Sequence, residues 1–167
     1  MKQSMQVQTS MNTVEWYTPP FIIELARQTL GEIELDPASN EIPQTWIKAK
    51  RYYSLANPAR EPWQGKVWLN PPFDDAPLWS KNLEQRYVAG AIPEALLLVN
   101  AALGYIWFEE LYRQWPCCLL QQRTRFIDQN GKQARDQAKK ASAVLYFGND
   151  YTKFGNLWSS LGRILLP

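Results

Sequence analysis

Apolar positions along the chain switch between two periods. In FIIELARQTL, residues 21 to 30, Phe21, Ile22, Leu25, Ala26 and Leu30 recur at helical spacing. Thr18 offers an N-cap, Pro19 and Pro20 suit the opening turn, and Gly31 ends the run. Residues 32–36, EIELD, alternate in strand fashion. Residues 38–63 are aromatic without period, and Pro43, Pro58 and Pro62 argue for irregular structure. KVWLN (66–70) reads as a short strand, and 77–89 as a helix with Leu78, Trp79, Leu83 and Val88 inward. ALLLV (95–99) is continuously apolar, as in a strand covered on both faces. An amphipathic helix follows over 104–115, then strand CCLLQ (117–121), a polar loop over 126–142 and strand AVLYF (143–147). A short helix near 152–160 and strand RILL (163–166) close the pattern.

Strand alternating with helix predicts an α/β fold with a doubly wound, mostly parallel sheet. Such sheets bind ligands beyond the carboxyl ends of their strands. The expected organisation is a loose polar tail over 1–12 and one domain over 13–167.

Composition narrows the function. Net charge is only +2, yet residues 121–140 hold Arg123, Arg125, Lys132, Arg135, Lys139 and Lys140 against Asp128 and Asp136. That segment reads as a phosphate-contacting surface or a solvated loop. Arg123 and Arg125 alternate and so share one face. Cys117 and Cys118 are adjacent, point to opposite faces of a strand and read as small core residues. The chain has no histidine, so no transition-metal site is expected. No apolar run approaches membrane-spanning length and the first twelve residues lack a signal-peptide core, so a cytoplasmic protein is expected.

Candidate chemistry centres on Asn70-Pro71-Pro72-Phe73. These residues fall just past an expected central strand, where proline must end the ladder. The two prolines fix the backbone and so aim their neighbours. Asn70 offers an amide oxygen, Pro71 a carbonyl free of helix or ladder, and Phe73 a flat apolar face. Two acceptors beside a stacking ring suit an exocyclic amino group on a planar base. Drawing on its hydrogens localises the nitrogen lone pair, so attack needs no prior general base, in keeping with a chain that lacks histidine. A rigid turn holding a core phenylalanine is the other reading of the same four residues.

NPPF resembles the catalytic tetrapeptide [DNS]PP[YFW] of amino-group DNA methyltransferases, and further segments agree. VEWYTPPFIIELA is similar to the segment that opens a helix ahead of their cofactor site. ELDPASN resembles their first cofactor motif, which in many members reads Asp-Pro-Ala-Cys-Gly-x-Gly. The similarity is greatest to the phage-type DNA N-6-adenine methyltransferases (Dam-like). These carry Glu-Trp-x-Thr-Pro, a Leu-Asp element with Ala-Ser, Trp-Leu-Asn-Pro-Pro, a Trp-Phe pair and an Arg-x-x-Phe element. The last two stand here as Trp107-Phe108 and Arg123 to Phe126, and the resemblance spans roughly 14–148.

The resemblance implies a Rossmann-like sheet and S-adenosylmethionine-dependent methylation of adenine N6 in DNA, with the base flipped out of its stack. Asn70, Pro71, Pro72 and Phe73 would form the catalytic pocket. Trp16, Thr18, Pro19, Asp36, Pro37, Ala38, Ser39 and Asn40 would lie against the cofactor. Lys81, Arg123 and Arg125 are the expected DNA contacts, with a solvated helix face as the alternative for Lys81 and a surface salt bridge as the alternative for the two arginines. Asp74 and Asp75 read as caps for the next helix. Two departures stand out. DPASN lacks the family's glycines, and Asn40, tolerant of positive φ, is expected to substitute for one. The ribose-binding acid after the second strand has only Glu41 and Glu61 as candidates. Cytosine N4 methylation and a DNA-binding module without cofactor remain alternatives. With recognition left to loops, 41–62 and 126–142, a short or relaxed target sequence is expected.

Overall fold

A computed structural model of the chain describes residues 16–54, 61–134 and 140–167; the expected tail over 1–12 lies outside them. One seven-stranded sheet organises the fold. Its strands are β1 (Leu35–Asp36), β2 (Arg51–Tyr52), β3 (Val67–Leu69), β4 (Ala95–Asn100), β5 (Cys117–Leu120), β6 (Ser142–Phe147) and β7 (Gly162–Leu165). They lie in the order β2-β1-β3-β4-β6-β5-β7. The helices are α1 (Pro20–Leu30), α2 (Glu41–Ile47), α3 (Ala76–Val88), α4 (Ile106–Gln114) and α5 (Tyr151–Trp158).

Strand pleat divides the apolar residues between two cores. Val67, Leu69, Leu97 and Val99 face α3 and α4, where Trp79, Leu83, Phe108 and Leu111 are buried. Trp68, Leu96 and Leu98 face the opposite way, toward Ile22, Ala26 and Leu30 of α1 and Phe154 and Trp158 of α5. Helices thus cover both faces, and the α/β class expected from the pattern is the one found. Burial of β4 and β6 on both sides accounts for their unbroken apolar runs.

The parallel ladders are confined to one half, β2–β1, β1–β3 and β3–β4. The pairs β4–β6, β6–β5 and β5–β7 are antiparallel. The cause is the connection from β5 to β6: among its described residues there is no helix, and without a crossover helix a neighbouring strand returns antiparallel. Part of the expected loop over 126–142 folds into a narrow ladder instead, with Ile127 bridged to both Tyr17 and Gln133. The cysteines fall one in each core, and burial pushes both thiols up to about 12, which leaves them inert at neutral pH.

Several local expectations are corrected. The irregular stretch 38–63 contains α2 and β2. The N-cap of α1 is Pro19, not Thr18, and no side chain caps that helix. Phe21 is 52% exposed, so the buried stripe of α1 begins at Ile22. Leu78 and Val88 are 60% and 69% exposed, because α3 turns Ala76, Trp79, Ser80 and Leu83 inward. Asp74 and Asp75 lie in a short 3-10 turn, and although Asp75 is at the N-cap of α3 its side chain makes no capping bond.

Candidate functional site

β1 and β3 are neighbours, with Leu35 level with Val67, so the loops that leave their carboxyl ends lie side by side. The first is Asp36 to Asn40 and the second Asn70 to Phe73. A third segment, Trp16 to Thr18, crosses both. The Asn70 side-chain amide donates to the Trp16 carbonyl at 3.2 Å, and the Asn40 amide donates to the Tyr17 hydroxyl at 2.8 Å. Tyr17 also exchanges two 2.8 Å main-chain bonds with Ile127, and the Trp46 indole donates to the Thr18 carbonyl at 2.9 Å. Phe73 meets Phe126 edge-on, ring centres 5.5 Å apart. The structure therefore gathers Trp16, Thr18, the Asp36–Asn40 loop and NPPF at the carboxyl ends of β1 and β3.

The bond from Asn70 has a chemical consequence. A backbone carbonyl only accepts, so the amide must turn its NH2 toward Trp16 and its oxygen the other way. That oxygen is shielded from solvent and meets no partner among the described residues. The neighbouring Pro71 carbonyl likewise receives no backbone hydrogen bond among them, because Pro71 and Pro72 lie outside helix and ladder. Both acceptors stand at the end of a central strand. The Thr18 hydroxyl is a third buried group without a partner, beside the Asp36 loop. Such groups are costly unless a partner satisfies them; outside these loops the Trp63 and Trp68 indoles and the Ser80 hydroxyl are buried without a partner among the described residues as well.

Asp36 is buried, and among the described residues no cation stands beside it. Burial pushes its pKa up to about 7, although hydrogen bonds from Ser39, the Ala38 N–H and the Gln44 amide favour the charged form. Gln44 organises this loop. Its NH2 donates to Asp36 at 2.9 Å and to the Ser39 hydroxyl at 2.8 Å, while its oxygen accepts from the Ala49 N–H at 2.9 Å. Sequence reasoning missed Gln44, since a lone glutamine in a proline-containing stretch carries no signal.

The glycine-poor DPASN corrects a second expectation. Asn40 has φ −155°, extended backbone open to any residue. Its side chain accepts from the Ile42 N–H at 2.9 Å and caps α2. The loop runs straight into a helix, so Asn40 replaces no glycine. Where a ribose-binding acid was sought, β2 is followed by Tyr53, whose backbone bonds to Asp36 and Ser39 tie the loop to the sheet. Glu41 is exposed in the first turn of α2, and no hydrogen bond joins Glu61 to the loop among the described residues.

The three expected DNA contacts separate. Lys81 is exposed on α3, with no contact to the site among the described residues. Arg123 and Arg125 are exposed on either side of buried Thr124, just ahead of Phe126 and its ring contact with Phe73. Among the described residues no group of three His, Cys, Asp or Glu is placed to hold a metal, and no helix is long and apolar enough to cross a membrane.

Helices on both faces of a mixed sheet, with open acceptors at the carboxyl end of a central strand, define a Rossmann-like α/β protein of methyltransferase type. The chain belongs to the DNA N-6-adenine-methyltransferase (Dam) family, whose model matches residues 6–161. No curated protein matches it.

Proposed function

We propose that the protein transfers a methyl group from S-adenosylmethionine to the exocyclic N6 of adenine in DNA. The observation that carries this is the shielded, unpartnered oxygen of Asn70, oriented by the Trp16 carbonyl beside the free carbonyl of Pro71. Adenine N6 carries two hydrogens, one for each acceptor. Accepting both draws the nitrogen toward tetrahedral geometry and makes its lone pair available. Phe73 supplies the apolar face against which the flipped base stacks. The prolines hold these groups in place before the base arrives, so catalysis is chiefly positioning.

The residues present fit the cofactor. The buried Thr18 hydroxyl has no partner among the described residues, and Trp16, Pro19 and the loop Asp36, Pro37, Ala38, Ser39 and Asn40 would hold the cofactor with it. When bound, S-adenosylmethionine supplies an electrophilic methyl on a sulfonium. The Trp16 ring, partly exposed, offers a π face to a cation. The same acceptors would serve cytosine N4; the family favours adenine. A module without cofactor is the other reading of the glycine-poor DPASN; the extended backbone of Asn40, which any residue adopts, supports the enzyme instead.

The test is to incubate the purified chain with S-adenosylmethionine and unmethylated duplex DNA and to analyse the nucleosides by mass spectrometry. N6-methyladenine that disappears in Asn70→Ala is the expected result. N4-methylcytosine in its place would reassign the target atom, and no methylated base on several duplexes and single strands would overturn the proposal.

A further inference from the structure

A second concavity opens on the same carboxyl edge, at the antiparallel end of the sheet. It encloses about 360 Å³. Its floor is apolar, formed by Phe21 and Ile22 from the first turn of α1 together with Leu120 and Leu161. Its rim is polar and carries Gln121, Gln122, Arg123, Arg125 and Gln133. No carboxylate among the described residues lines it. Arg123 and Arg125 line the opening and enter no ion pair among the described residues.

We infer that this pocket holds one phosphodiester, with its deoxyribose, of the DNA strand that carries the target base. The inference rests on the methyltransferase reading above. Three features converge on it. Guanidinium forks match the oxygens of a phosphate, and carboxamide NH2 groups add neutral donors. The apolar floor suits the carbon face of a sugar, which a free inorganic anion would leave bare. The arginine-bearing segment runs directly into Phe126, whose ring touches Phe73 of NPPF, so a strand with its base at Phe73 has a neighbouring phosphate within this stretch. Thr124, buried between the two arginines and bonded to Ser142 at 3.1 Å, fixes the segment to the sheet. The subsite is thus preformed, and it anchors the backbone from which the base must swing out. Phosphate contacts of this kind set register and carry no sequence information.

The test uses the full chain without cofactor and duplexes that carry a neutral methylphosphonate at one backbone position at a time around a target adenine. Wild type should lose about tenfold in affinity when one particular phosphate is neutralised, as expected when a charge-assisted hydrogen bond is removed. Arg123→Gln and Arg125→Gln should bind unmodified DNA correspondingly more weakly on every sequence and be indifferent to the same methylphosphonate. Their salt dependence, log K against log salt, should be shallower by about 0.9 for each phosphate that the variant no longer neutralises. Both side chains are exposed, and circular dichroism with a melting curve verifies the fold of each variant. Equal sensitivity of wild type and variants at every phosphate would overturn the inference. So would a loss confined to particular base sequences, which would mean base reading instead. Inhibition of DNA binding by inorganic phosphate beyond that of chloride at matched ionic strength, with no phosphate position distinguished, would assign the pocket to a free anion and also overturn it. Coupling to one phosphate without any methylated product would keep the pocket and remove the methyl-transfer reading; methylation without coupling would do the reverse.

Discussion

Thr18 and Asn70 each bury an oxygen that meets no partner among the described residues, and the two make different predictions. Thr18→Val keeps the shape and removes the orphan hydroxyl, so the free protein should gain stability, by about 1 kcal/mol, in urea titration. If the hydroxyl is there for cofactor, S-adenosylmethionine should bind the variant about tenfold more weakly in calorimetry. A variant both more stable and equally tight would remove Thr18 from the cofactor site. Asn70→Ala should cut methyl transfer by about a hundredfold or more while cofactor affinity stays within a few-fold, since its acceptor acts on the base. Asp36 gives a pH signature. Below about pH 4 its carboxyl is protonated in folded and unfolded chains alike; between there and about 7 only the unfolded chain ionises. Stability therefore falls as pH rises through that window, by at most about 4 kcal/mol, and the loss is complete above it. Asp36→Asn should flatten this slope, read as the difference in urea midpoint between variant and wild type at pH 5 and pH 8. NPPF was legible as a candidate because two prolines end an apolar strand, and DPASN only through its resemblance to a cofactor motif. The orientation of the Asn70 amide was not, because it depends on a carbonyl 54 residues away in the chain.

Among the elements, β3, β4 and β6 were legible because burial on both faces writes an unbroken apolar run into the chain. α2 and β2 were hidden for separate reasons. Pro43 stands in the first turn of α2, where proline is tolerated, yet in an aromatic stretch it reads as a breaker. β2 is two exposed residues long, too short to alternate. Strand direction was hidden too, since an apolar run is the same read up or down the sheet; the connection decides it. The antiparallel edge makes its own prediction at Gly162. A Cβ there would lie 2.1 Å from the Leu119 carbonyl oxygen, so the glycine is required by close approach of β7 to β5. Gly162→Ala should cost about 1–3 kcal/mol in thermal or urea unfolding, as strand β7 shifts away. Because Leu161 lines the basic pocket beside it, DNA affinity should fall as well, with S-adenosylmethionine affinity preserved. An unchanged melting temperature would show that the edge ladder is looser than this register.

Across the molecule, the two cores are not independent bodies. β3, β4 and β6 each send alternate residues to both, as Trp68 between Val67 and Leu69 illustrates, so neither core can dissolve without exposing the strands that form the other. The candidate site adjoins one of these strands, β3, and its neighbour β1. The Asp36 loop leaves β1, NPPF leaves β3, and the Trp16–Thr18 segment ties both to Ile127. A ligand on these loops therefore stabilises the whole sheet and not one lobe. Tryptophans report the two cores separately: Trp63 and Trp79 pack in the α3–α4 core, while Trp68 and Trp158 lie in the α1–α5 core. Two variants, Trp79→Phe and Trp158→Phe, each dim the signal of one core, and their fluorescence can be followed in urea beside far-ultraviolet circular dichroism. All traces within a variant should coincide in one transition. Adding S-adenosylmethionine at about one hundred times its dissociation constant should move every trace together, by about 2.7 kcal/mol, as expected of a ligand that binds only the folded chain. Each variant keeps tryptophans in or against both cores, Trp63, Trp107 and Trp115 in one and Trp46 and Trp68 in the other, so traces that separate within a variant, or a shift in one variant without the other, would mean that the two cores open separately. The positioning of Asn70 by a segment on the other side of the cofactor loop would then have to survive a partly opened sheet, which the single shared set of strands argues against.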